Sequence, residues 1–282
     1  MKTNIYILNY KNDYALNFMI LKSLFESDVV LEDVEIYIIN NHPEINIQDD
    51  YLSKVKVLTN YLRPTESIAF IARDWNSAII HGFVNLNNPQ CDAVITIQND
   101  TILKKNWYSL LCEYSKKYNF MSFGEGDAFI YHTPESVKKI GLFDERFSGI
   151  GYYEGDYFTR AFLYNLTDSS VNDFIHSRDF NSVEIQLLED TSEFVTGNES
   201  LLQGNKNEKY SDLNRSLWVN KWMFAAYGDG HKSGRQSCIH LTNSIMFYPW
   251  FEKDINTLEQ QGYYLHQCVT QANPRFFCMI YK

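Results

Sequence analysis

The sequence predicts an α/β fold built on a mainly parallel sheet. Three observations carry that expectation. Short apolar, β-branched runs recur along the first half of the chain; segments of helical spacing lie between them; and the runs end in polar groups. The clearest run spans residues 93–97, Ala-Val-Ile-Thr-Ile, and it stops at Gln98-Asn99-Asp100-Thr101.

The elements follow in chain order. Residues 4–10 read as a first strand, Ile5-Tyr6-Ile7-Leu8 closed by Asn9-Tyr10. Asp13 is placed to cap a helix that gathers Leu16, Met19, Ile20, Leu24 and Phe25 on one broad face. Residues 34–39 form a second strand, stopped by Asn40-Asn41-His42-Pro43, and 55–58 a short third. Over 67–82, Ile68, Ile71, Ala72, Trp75 and Ile79 are spaced for one helical face, with Gly82 as its stop. After the strand at 93–97, an amphipathic helix over 104–118 presents Trp107, Leu110, Leu111 and Tyr114, and strands follow at 120–123 and 128–131. Thr133-Pro134-Glu135 starts a helix, with an N-cap hydroxyl, Pro at the first position and an acid in the first turn; Gly141 ends it. Beyond Asn181 the composition turns polar, so a core of 1–182 and an extension of 183–282, helical and looped, are expected.

Composition bounds the function. A chain of 282 residues, 45% hydrophobic and 21% charged, suits one large soluble domain with an extension. The aromatic share of 16% fits an aromatic-rich core or a sugar-stacking surface. A net charge of -10 argues against whole-surface affinity for nucleic acid or anionic membrane. Five Cys without paired metal spacing suit reduced thiols, and no apolar stretch approaches spanning length, so a cytoplasmic location is expected. In open α/β sheets ligands sit beyond the carboxyl ends of the strands. A carboxylate held there, as Asp100 would be, can bind a divalent cation, which in turn binds a diphosphate; the same Asn-Asp pair also suits a simple turn.

These segments together resemble GT-A fold nucleotide-sugar glycosyltransferases, closest to glycosyltransferase family 2. The resemblance covers about 4–182, with an echo at 218–222. It rests on Asn40-Asn41 after the second strand, Asn76 within a helix, Gln98-Asn99-Asp100-Thr101, Gly141-Leu142-Phe143-Asp144-Glu145-Arg146-Phe147, Glu154-Gly155-Asp156 and Arg160, in that order. It implies a GT-A, Rossmann-like sheet flanked by helices and metal-dependent, inverting transfer of a sugar from a nucleoside-diphosphate sugar. Asn9, Tyr10, Asn40, Asn76 and Asn99 would lie near the donor. Asp100 would hold Mn²⁺ or Mg²⁺, with His176 as a second ligand or else a surface or core histidine. Counting back from Arg160 places Glu154 as the general base that takes the acceptor's proton, with Asp156 orienting; the plainer readings are a helix-start acid for Glu154 and an i,i+4 partner of Arg160 for Asp156. Asp127 would bind an acceptor hydroxyl, Asp144-Glu145 is a structural turn, and the loop over 228–235 either closes over the diphosphate or is ordinary and solvated.

Two departures stand out. The family motif often has an acid where Gln98 stands, and an Asp that reads a pyrimidine where Asn40-Asn41 stand. Gln98 keeps open a non-catalytic nucleotide- or glycan-binding module on the same fold. A sugar nucleotidyltransferase would normally carry a Gly- and Arg/Lys-rich loop after the first strand, and residues 9–14 hold no Gly and only Lys11. A glycan, glycolipid, protein or modified nucleic acid are all open as acceptor, as is the oligomeric state.

Overall fold

The computed structural model describes residues 1–60, 71–123, 127–147 and 153–157, with 213–214, 216–217, 264–266 and 279–281. Its centre is a six-stranded sheet of β1 (Thr3–Asn9), β2 (Val34–Asn40), β3 (Lys56–Thr59), β4 (Ala93–Gln98), β5 (Phe120–Phe123) and β6 (Phe129–His132). The spatial order is β3-β2-β1-β4-β6-β5. The first four strands are parallel, while β6 runs antiparallel to both β4 and β5. This is the mostly parallel, helix-flanked sheet that the alternating pattern predicts. The order reverses at β1, with β2 and β3 on one side of it and β4 on the other; in open α/β sheets ligands bind beyond the carboxyl ends of the strands at such a point.

Strand alternation divides the core. Ile5, Ile7, Ile36, Ile38, Ile95 and Ile97 point to one face, where they meet Leu16, Ile20, Leu24, Trp107 and Leu111. Burial of each such side chain contributes roughly 1.5–3 kcal/mol. The covering helices are α1 (residues 13–25) and α4 (Trp107–Tyr114). Against the other face lies α3 (Ile71–Phe83), with Tyr6 and Val94 beneath it. A one-turn α2 (Asp49–Leu52) precedes β3, and α5 (Pro134–Ile140) follows β6.

Three local expectations are corrected. Asn12, not Asp13, caps α1, accepting from the Ala15 N–H at 3.2 Å. The carboxylate of Asp13 instead accepts from Asn9 at 3.3 Å and from the Asn46 N–H at 2.9 Å. Gly82 does not stop α3: the helix runs to Phe83, and the left-handed residue after it is Val84, at φ 60°. Gly82 is needed for packing, since a Cβ there would lie 2.4 Å from Val94 Cγ2. In the stretch expected to be helical and looped, β7 (Tyr264–His266) and β8 (Met279–Tyr281) form an antiparallel pair. Thr133 caps α5 as predicted, in a reciprocal pair with Ser136, and Gly141 ends it at φ 87°.

α1 is not uniform. Leu16–Leu21 form a π-helical stretch, a widening often found beside functional sites. It carries the buried Asn17, which donates to the carbonyls of Asp13 and Asn46 and accepts from the Gln48 N–H, all within 2.9 Å. One amide thereby ties the helix to the segment that follows β2.

Candidate active site

Asn9 and Asn40 end β1 and β2, Asn99 follows the end of the adjacent β4, and the three side chains reach one another. Asn99 donates to Asn9 Oδ1 at 2.8 Å, and Asn9 Nδ2 lies 3.4 Å from Asn40 Oδ1. Asn40 in turn donates to the carbonyl of His42. Asn9 and Asn40 are wholly buried. Behind them Asn41 donates to Asp74 on α3 at 2.8 Å, and Asn60 reaches Asn41 at 3.4 Å. Of the expected donor-side residues, Asn9, Asn40 and Asn99 therefore form one cluster. Tyr10 stands at its edge, its ring edge-on to His42 at 6.1 Å, beside Lys11 in a left-handed backbone conformation at φ 53°.

Asn76 belongs elsewhere. Its amide donates to the Phe143 carbonyl at 2.9 Å and to Glu145 at 2.8 Å, and accepts from the Phe143 N–H at 2.8 Å. It mimics a peptide group and pins the segment 143–145 to α3. That segment closes as a turn: Asp144 accepts from its own neighbour Arg146, through the backbone N–H at 3.1 Å and the guanidinium at 2.9 and 2.6 Å. The carboxylate reading of Asp144 as a turn-former matches this geometry.

Asn99 and Asp100 occupy the middle of a turn in which the Thr101 N–H reaches the Gln98 carbonyl at 3.2 Å. The turn and ligand readings of Asp100 are thus compatible. Burial pushes the carboxyl of Asp100 above the ordinary aspartate range; a hydrogen bond to its own backbone works against this, and the charge of Asp127 adds to the rise. Among the described residues no group of three His, Cys, Asp or Glu side chains could hold a metal by itself.

Asp127 is 1% exposed. Its carboxylate accepts from Trp75 Nε1 at 2.6 Å, from the Tyr153 hydroxyl at 2.5 Å and from the Gln98 amide. Tyr153 opens a helical turn over 153–157 that holds Glu154, 1% exposed, and Asp156, wholly buried. The same turn is fixed by Tyr157, whose ring stacks on Phe143 at 4.0 Å and whose hydroxyl lies 3.4 Å from His132 Nδ1. Burial drives His132 down to about 3, so its ring is neutral. The catalytic pair expected at 154 and 156 and the motif at 98–101 are therefore joined through one side chain. His176, Arg160 and the loop over 228–235 lie outside the described residues.

Sequence reasoning misses three members of this arrangement. Trp75 is legible only as an apolar helix position, although a buried indole N–H needs an acceptor. Gln98 reads as a missing acid, and Tyr153 as one aromatic among many.

No protein-family profile and no curated protein matches the chain. Solved structures do. TarS 1-349 of S. aureus in complex with UDP is 13% identical at a TM-score of 0.41, with 58% of this chain covering 56% of that one. The longer TarS structure is 12% identical over 58% of this chain and 34% of its own, also at 0.41. The mannosyltransferase PcManGT from Pyrobaculum calidifontis, in complex with GDP-Man and Mn²⁺, is 10% identical at 0.40, over 57% and 51%. The chain thus spans between a third and just over half of the structures it matches.

Proposed function

We propose that this chain is a metal-dependent, inverting glycosyltransferase acting on a nucleoside-diphosphate sugar. The observation that supports it is the shared carboxylate: Gln98, two residues before Asp100, and Tyr153, one residue before Glu154, both donate to Asp127. On this reading a cation-binding acid and a proton acceptor would be carried by two segments that meet at Asp127, beyond the carboxyl end of β4.

The residues fit a divalent cation. Asp100 is a hard oxygen donor whose charge is opposed by burial and by Asp127, and a cation relieves both. Asp100 would hold it, with donor diphosphate oxygens, water and, in the reading from sequence, His176 completing the shell. When bound, the cation neutralises charge on the departing diphosphate. Glu154 would take the proton of the acceptor hydroxyl as that oxygen attacks the anomeric carbon, and burial keeps bulk water from competing for it. Asp156 would orient its helical turn. Asn9, Asn40, Asn99 and Tyr10 would face the nucleoside, and Asn76 would act by fixing the turn beside Phe143.

Titration calorimetry with a panel of nucleoside-diphosphate sugars, with and without Mn²⁺, tests this. One donor should bind at least ~10-fold more tightly with metal, a coupling of about 1.4 kcal/mol, and be slowly hydrolysed. Metal-independent binding with no turnover of any donor would instead identify a binding module.

A further inference from the structure

Asp127 draws its three donors from three separate elements. Gln98 ends β4, Trp75 lies on α3, and Tyr153 opens the helical turn at 153–157. Each donor stands one or two residues from a group given work above: Gln98 before Asp100, Tyr153 before Glu154, and Trp75 before Asn76, which holds the turn at 143–145. A carboxylate can only accept, so all three partners must donate, and a buried carboxylate left with fewer partners is costly. The arrangement has one satisfied state.

The geometry points to a positioning role: Asp127, with Gln98, Trp75 and Tyr153, is a buried strut that sets the turn carrying Asp100 and the helix carrying Glu154 at a fixed separation. This rests on the reading that Asp100 and Glu154 are the working groups of sugar transfer. It gives Gln98 a task of its own. An acid at 98 would set a second carboxylate against the buried Asp127, whereas an amide donates to it. It also gives Asp127 a role other than holding an acceptor hydroxyl, since its oxygens already take three donors from within the protein.

A swap of donor and acceptor tests the strut. Gln98→Glu opposes two carboxylates and should lower both the thermal midpoint and metal-dependent donor hydrolysis, the latter by ~10²-fold for a displaced catalytic group. Adding Asp127→Asn restores the pairing: the new amide donates to Glu at 98 and still accepts from Trp75 and Tyr153. The double variant should regain the midpoint and come within ~10-fold of the original hydrolysis rate. Tyr153→Phe, which introduces no charge, should slow hydrolysis with donor affinity unchanged. The proposal is overturned if Gln98→Glu hydrolyses donor as fast or binds Mn²⁺ more tightly, if the double variant is no better than Gln98→Glu, or if Asp127→Asn raises only the acceptor KM. Should the parent protein hydrolyse no donor, the transferase reading fails, while recovery of the midpoint in the double variant still decides whether the strut exists.

Discussion

At the ends of β1, β2 and β4 the site is held by a chain of amides, Asn99 to Asn9 to Asn40, with the Asp13 carboxylate behind Asn9, while on the α3 side it is held by one carboxylate with three donors around Asp127. An amide offers a donor and an acceptor together, so groups of this kind can meet either sort of polar partner. The carboxylate cluster has no such freedom, and its Trp and Tyr partners are buried with it. One bank can adapt to what binds it; the other keeps the distance between two acids. A binding surface profits from the first property and a reaction centre from the second.

The largest effect expected from this contrast is at Asp127. Asp127→Ala leaves the Trp75 N–H and the Tyr153 hydroxyl buried without an acceptor. At roughly 1–3 kcal/mol for each unsatisfied group, unfolding in urea should show a loss of about 3–5 kcal/mol. A loss below that of an asparagine truncation on the other bank would erase the distinction.

Acid should act on the same bank. His132 is neutral when folded, at about 3 against an ordinary 6.5. Between those values the unfolded chain binds more protons than the native protein. Stability is therefore intact above pH 6.5 and falls as the pH drops toward 3, by about 1.4 kcal/mol per unit, or about 2 kcal/mol at pH 5. Unfolding midpoints from pH 7 to 4 should show this slope, and a His132→Leu variant should be flatter. Asp100 carries the opposite sign, since burial raises its carboxyl and protonation then favours the folded state; it offsets part of the slope. Equal slopes in both proteins would remove His132 from the account.

The smallest effect belongs to the amide bank. Asn99 is half-buried and its donation to Asn9 is one bond among neutral groups, so Asn99→Ala should cost about 1 kcal/mol. Urea unfolding should show this loss, well below that of Asp127→Ala.

Much of the fold is legible in the sequence because local rules and the final structure agree. The apolar runs at 5–8, 34–39 and 93–97 become buried parallel strands, and Thr133-Pro134 and Gly141 bound their helix as capping chemistry dictates. The failures are tertiary. Gly82 signals a helix end by its freedom, yet sits inside the helix because Val94 leaves no room for a Cβ. Asp13 signals a cap by type, but its carboxylate is drawn to Asn9 and Asn46, and Asn12 caps instead. At the site, the positions of Asn9, Asn40, Asn99 and Asp100 follow from strand ends alone. The partnership of Asp127 with Trp75, Gln98 and Tyr153 spans 29 to 52 residues of sequence for the first two bonds and 26 for the third, and no local pattern encodes it.

The proposed transfer requires the group at 154 to take a proton within reach of a donor held through Asp100. The direct measurement is donor binding and single-turnover transfer by Glu154→Gln beside the unaltered protein, in Mn²⁺. With Glu154 as the base, donor affinity should be unchanged and transfer slowed by ~10²–10⁴-fold. Transfer by Glu154→Gln at the unaltered rate would contradict that role.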